Sequence, residues 1–223
     1  MMTRWVGEGL LAARRAARAA LGEEGGLAAV ELALILPVAL LLISLIVYGG
    51  QIFSVQRKVS NGAMTVANIF AQANNDSQAT LTAAELNQIL FYPNLILFPH
   101  DASAIQVVVS ELQVTTTTTN GVTTATGKVV HSCGNANAIA DNMIPPQNQT
   151  MPIDLSIAAA FTGSANSPPP ANSYVVLGQV YYPFQPTNIF YSLGQVTLSD
   201  SVMMIPRTAA DVQVPPGPAP CPY

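Results

Sequence analysis

From Leu27 to Tyr48 the chain runs for twenty-two residues with Glu31 as its one strongly polar side chain. Roughly twenty apolar residues cross a bilayer as a helix, because a helix satisfies its own backbone groups where no water can. The run therefore reads as a membrane-spanning helix. A secretory signal has a shorter apolar core and a small-residue cleavage site behind it. Here the run passes instead through Gly49-Gly50 into more helical sequence.

The 223 residues leave room for one modest domain beside a leader and a helix. Only 9% of the residues are charged while 50% are hydrophobic, a balance that does not suit a disordered chain. Arg4, Arg14, Arg15 and Arg18 precede the span, whereas only Arg57 and Lys58 lie just beyond it. Basic residues near a membrane helix prefer the cytoplasmic side, so the N-terminus is expected inside and the body outside. Beyond Lys58 the bases are Lys128 and Arg207, against Asp76, Glu85, Asp101, Glu111, Asp141, Asp154, Asp200 and Asp211. Such an acidic body offers no surface for nucleic-acid phosphates. Cys133 and Cys221 both fall in this exported part, where an even count favours a disulfide; two unpaired thiols are the alternative.

Residues 1–26 read as a basic leader, with Trp5 to Leu21 able to form a short amphipathic helix on the inner surface or simply to supply orienting charge. A cut between Gly26 and Leu27 leaves the apolar run on the mature chain, with Leu27 first and Glu31 fifth. The string Gly26-Leu27-Ala28-Ala29-Val30-Glu31-Leu32-Ala33-Leu34-Ile35-Leu36-Pro37 resembles the N-terminal segment of the TadE-like family, pilin-like proteins of tight-adherence (Flp) pilus systems. The resemblance extends from about Gly25 to Lys58. Two departures stand against the pattern: Leu32 occupies a place where Phe or Tyr is usual, and Glu23-Glu24-Gly25 precedes the junction where a basic residue is usual. The resemblance implies a bacterial origin, prepilin peptidase acting at Gly26-Leu27 or a leader kept as a cytoplasmic tail, and pilus subunits or assembly platform proteins as partners.

A carboxylate inside a membrane helix is costly and marks function by default, which singles out Glu31. After a cut, the α-amino group of Leu27 on a neighbouring subunit can pair with it and set register. Without one, Glu31 lies a single turn inside the span and can snorkel to the headgroups. Pro37 removes a backbone hydrogen bond, either bending the helix for assembly or resting in the membrane without a special role.

Past the membrane, Ile52, Val55, Val59, Gly62 or Ala63, Val66 and Phe70 recur at spacings of three and four. They make one apolar stripe on an amphipathic stem, residues 49–73, that needs a domain to cover it. Asn74 to Ser77 ends the stem, and Thr82-Ala83-Ala84-Glu85 reads as a capping box opening a short helix to about Tyr92. Pro93 and Pro99 then bracket a loop, Leu95 to Phe98, placed on the membrane or the core. Ala104–Thr119 and Val122–Ser132 are β-branched runs joined by Asn120-Gly121, a hairpin turn signal. Ile105, Val107 and Val109 share one phase and Leu112 and Val114 the other, which predicts a bulge near Ser110-Glu111. Gly134 to Ala171 reads as loop-rich, Tyr174–Phe184 and Gln195–Ile205 as strands joined through Asn188–Leu193, and Pro215–Tyr223 as an extended tail.

The inventory for catalysis is short. His100 and His131 are the histidines, no cluster has metal-ligand spacing, and there is no phosphate loop or nucleophile elbow. His131 near Cys133 reads as a strand-end histidine beside a disulfide rather than a thiol site. The expectation is thus an α+β protein without cofactors: leader 1–26, transmembrane helix 27–48, stem 49–73 and a β-rich domain 74–223. It is expected to act without catalysis as a minor pilin or assembly factor in the inner membrane. A signal-anchored periplasmic binding or sensor module is the alternative, and an anchored hydrolase using His131 a weaker third.

Overall fold

A computed structural model describes residues 23–73, 81–163, 169–170, 172–186, 194–207, 212, 214 and 221. The expectations for residues 1–22, the Asn74–Ser77 loop, the Asn188–Leu193 connection and most of the Pro-rich tail lie outside the described residues. The chain divides at Gly50 into two units, Met1–Gly50 and Gln51–Tyr223.

Helix α1, Glu23–Gln72, takes in both the apolar run and the stem, with Pro37 inside it. From Ala28 to Gly50 most side chains are exposed on every side, Leu34 to 76% and Ile46 to 74%. No charge other than Glu31 interrupts that stretch.

The second unit is built around a five-stranded antiparallel sheet in the order β3-β2-β1-β4-β5. Its strands are β1 (Gln106–Thr119), β2 (Val122–Gly134), β3 (Thr150–Ile153), β4 (Tyr174–Phe184) and β5 (Val196–Met204). On one face the stem residues Val55, Val59, Ala63, Val66, Ala67 and Phe70 pack with Val107, Val109, Val176 and Val180. Small residues set the distance here: a Cβ on Gly178 of β4 would lie 2.8 Å from the Ala63 carbonyl oxygen and 2.9 Å from the Ala67 Cβ. The stem stripe predicted from its spacing is thus the face that docks on the sheet.

Helix α2, Ala83–Leu97, begins with the expected capping box: the Glu85 amide donates to Thr82 Oγ1 at 3.3 Å and the Thr82 amide to Glu85 Oε2 at 2.8 Å. It does not stop at Tyr92. Pro93 lies inside the helix and is buried, with a Cβ on Gly62 of α1 reaching only 3.2 Å from the Pro93 Cβ. Leu86, Leu90, Pro93 and Leu97 form a single buried stripe, and its burial carries the helix past the lost Pro93 hydrogen bond. Residues 95–97 are therefore helix, not loop.

The hairpin β1–β2 turns at Asn120 and Gly121, with φ of 53° and 80°, as a two-residue turn with two positive φ values requires. The pairing shifts between Glu111 and Leu112, where His131 and then Val129 stand opposite. The extra residue is Val130 on β2, while β1 pairs regularly with β4 across the same place. Leu112 and Val114 leave the phase of Val107 and Val109 because the central strand is buried on both faces. They join Val129, Val175, Leu177 and Ala158 in a second core.

The stretch read as loop-rich contains α3 (Ala136–Ala140), β3 and α4 (Leu155–Thr162). Asn135 and Asp154 cap the two helices through their side chains, and Gly163 ends α4 at φ 73°. These caps were present in the sequence as signals; without a long apolar period they did not stand out from turns. Helix α4 covers the second core, and Ala138 of α3 packs with Val108 and Ile144 in a third.

Candidate functional site

The exposed segment of α1 carries the residues of interest. Gly26 and Leu27 lie within the helix, which starts at Glu23, one turn earlier than the junction. Glu31 is exposed, and among the described residues no cation or hydrogen-bond donor meets it. Pro37 follows six residues later in the helix and leaves the Ala33 carbonyl without its usual amide donor. From Ala28 onward, α1 is also the one helix among the described residues that is long and apolar enough to cross a membrane. In water such a surface is unfavourable; in lipid or against like helices it is covered.

The two cysteines are joined. A Cys133–Cys221 disulfide, 88 residues apart in sequence, sits in the core shared by the stem and the sheet. In the same core lies Glu111, fully buried, whose Oε1 accepts the Val212 amide at 2.8 Å. The C-terminal segment is thus fastened to the sheet twice, by a covalent bond and by a hydrogen bond to a buried carboxyl oxygen. Sequence reasoning passed over Glu111, since nothing in its neighbourhood distinguishes a buried carboxylate from a solvated one.

Several other polar groups have structural partners. His100 stacks edge-on to Phe184 at 5.7 Å, and burial, helped by the Lys58 charge, holds its pKa below the ordinary value. The Tyr182 hydroxyl donates to the Asp101 carbonyl at 2.8 Å, and burial, then the Asp101 charge, raises its pKa. Asp101 and Asp154 accept backbone amides from Ser103 and Ser156, which lowers both carboxyls. His131 stands opposite Glu111 across the β1–β2 ladder. Among the described residues no group of three His, Cys, Asp or Glu could hold a metal. A cleft of about 440 Å³ beside β5 is lined by Ser156, Ile157, Met203 and Arg207.

A single long N-terminal apolar helix followed by a small antiparallel sheet domain makes this an α+β protein. Residues 26–68 match the family model described as TadE-like protein, the family that the sequence resembles. The match covers the apolar segment and most of the stem, and ends before the sheet domain. It supports a pilin-like protein of tight-adherence pilus systems. No curated protein and no solved structure gives a significant match.

Proposed function

We propose that the protein is a minor pilin or assembly factor of a tight-adherence pilus, working by helix packing and without catalysis. It is held in the bacterial inner membrane by Leu27–Tyr48, with the N-terminus in the cytoplasm and residues 74–223 outside. The observation that carries this reading is the uncovered apolar face of α1 with one carboxylate, Glu31, near its start. A charge in that setting is retained when it has a partner, and the α-amino group of Leu27 on a neighbouring subunit supplies one after cleavage. The arginines before the span and the acidic body after it fit this orientation. The partners are pilus subunits or platform proteins and prepilin peptidase at Gly26-Leu27.

Glu31→Ala is expected to abolish pili in cells while the protein still fractionates with membranes. Normal piliation by the variant refutes the role given to the carboxylate. The mass of the membrane-extracted protein checks processing, with an N-terminus at Leu27 expected; an intact leader together with normal piliation removes the cleavage step. Crosslinking from the outer domain separates this reading from a periplasmic binding module: capture of pilus subunits or platform proteins supports it, and capture of a soluble ligand alone overturns it.

A further inference from the structure

Helix α2 has two apolar stripes, and only one of them is used by the core. Leu86, Leu90, Pro93 and Leu97 face inward. On the opposite side Phe91 and Leu95, four apart, are exposed, Leu95 to 60%, and the cap residue Phe98 just past the helix is exposed to 76%. No acidic residue occurs between Leu86 and His100. The Lys58 ammonium donates to the Phe98 carbonyl at 2.7 Å, so this end of α2 lies against the start of the stem. There Phe53 is exposed, and the Arg57 guanidinium lies 5.5 Å from its ring centroid. The nearest acid in sequence, Asp101, is turned to the Ser103 amide.

We infer that this patch, Phe91, Leu95 and Phe98 with Phe53, Arg57 and Lys58, docks on the headgroup region of the bilayer, with anionic lipid as its preferred ligand. The inference rests on the membrane reading of Leu27–Tyr48. Chain continuity limits the distance: Phe53 follows Tyr48 by five residues and Lys58, which holds Phe98, by ten, roughly 15 Å along the helix. The chemistry fits the same occupant. Aromatic and aliphatic side chains beside cations, without acids among them, suit the boundary between acyl chains and anionic headgroups. A domain so held cannot turn freely about its stem, which presents the hairpin tip in a fixed direction to an incoming subunit.

The test uses the full-length protein in lipid nanodiscs of phosphatidylcholine and phosphatidylglycerol. Single cysteines introduced as Leu95→Cys, Thr119→Cys and Ile43→Cys carry an environment-sensitive fluorophore, and lipids bearing shallow nitroxides act as quenchers. The label at position 95 is expected to be blue-shifted and quenched, the one at position 119 on the hairpin tip to be neither, and the one at position 43 to be in lipid. Replacing the anionic lipid by phosphatidylcholine is expected to lower the docked-to-undocked ratio about thirtyfold, roughly fivefold for each of two cations. If position 43 is in lipid and position 95 behaves like position 119, docking is overturned and the anchor stands. If position 43 is also in water, the membrane reading fails and docking with it. A blue shift at position 95 without quenching, appearing only with several copies per nanodisc, assigns the stripe to a second copy of the chain and overturns the lipid proposal.

Discussion

Gly178 sits where the stem meets the sheet, and replacing it with alanine tests that contact directly. An added Cβ would lie 2.8 Å from the Ala63 carbonyl oxygen, 2.9 Å from the Ala67 Cβ and 3.0 Å from the Ala67 amide nitrogen. The closest of these is about 0.6 Å short of ordinary contact at 3.4 Å, and two of the three atoms are backbone, which cannot rotate away. The stem must therefore lift off β4. A gap of roughly 0.5–1 Å forfeits a quarter to a half of each dispersion contact, and the seam includes Val59, Val66 and Phe70. Overpacking of this kind costs about 1–3 kcal/mol. Urea titration of the full-length protein in detergent, followed by circular dichroism, is expected to show a lowered midpoint with little change in slope. The thermal midpoint should drop by about 2–4 °C for each kcal/mol lost. Ala67→Gly in the same chain removes one of the three obstructing atoms and leaves the two backbone atoms in place, so it is expected not to restore stability. Unchanged stability of Gly178→Ala, or full rescue by Ala67→Gly, refutes the close helix-on-sheet contact.

Other consequences follow from groups already described. Replacing both Cys133 and Cys221 with serine opens a closure of 88 residues, expected to cost about 4–5 kcal/mol; equal urea midpoints with and without the bond contradict it. His100 has a pKa held below its ordinary 6.5, first by burial and then by Lys58, so the folded state favours the neutral ring. Its contribution is present above pH 6.5 and is lost as the pH falls from there through the lowered folded value. A His100→Asn variant should show a flatter stability profile in that window, and an unaltered profile removes the assignment. Glu85, whose carboxyl is lowered chiefly by the Thr82 backbone amide, gives the same sign around a lower value: its support for the start of α2 is present above pH 4.5 and fades on acidification. Glu85→Gln should remove that acid dependence in a pH titration of helicity, and an unaltered acid limb contradicts the assignment.

The elements that were legible in advance have local causes. The apolar run announces a helix for lipid through length and composition alone, and the stem stripe through period. Asn120-Gly121 dictates its turn because few residue pairs accept two positive φ values. Thr82 and Glu85 cap a helix whatever packs on it. The residues of the candidate site stand close together in the chain: Gly26, Leu27, Glu31 and Pro37 fall within twelve residues, so no folding was needed to bring them together. The outer apolar stripe of α2 was half visible, since Leu95 to Phe98 stood out as apolar but were read as a loop after Pro93.

What stayed hidden depended on partners distant in the chain. The sequence by itself determined the long apolar helix, its lone acid, the hairpin and the caps, because each is fixed by contacts within a few residues. Only the tertiary structure decided that β1 is covered on both faces, which sends Leu112 and Val114 to a second core without a bulge in their own strand. It also decided that α2 continues through Pro93, because burial against Gly62 outweighs one lost hydrogen bond. Glu111 meets Val212 across 101 residues, whereas the Cys133–Cys221 bridge, 88 residues apart, is already expected from the even count of cysteines. A pairing such as that of Glu111 with Val212 arises from the global arrangement of the sheet and the stem, which brings together groups whose sequence neighbours carry no trace of one another.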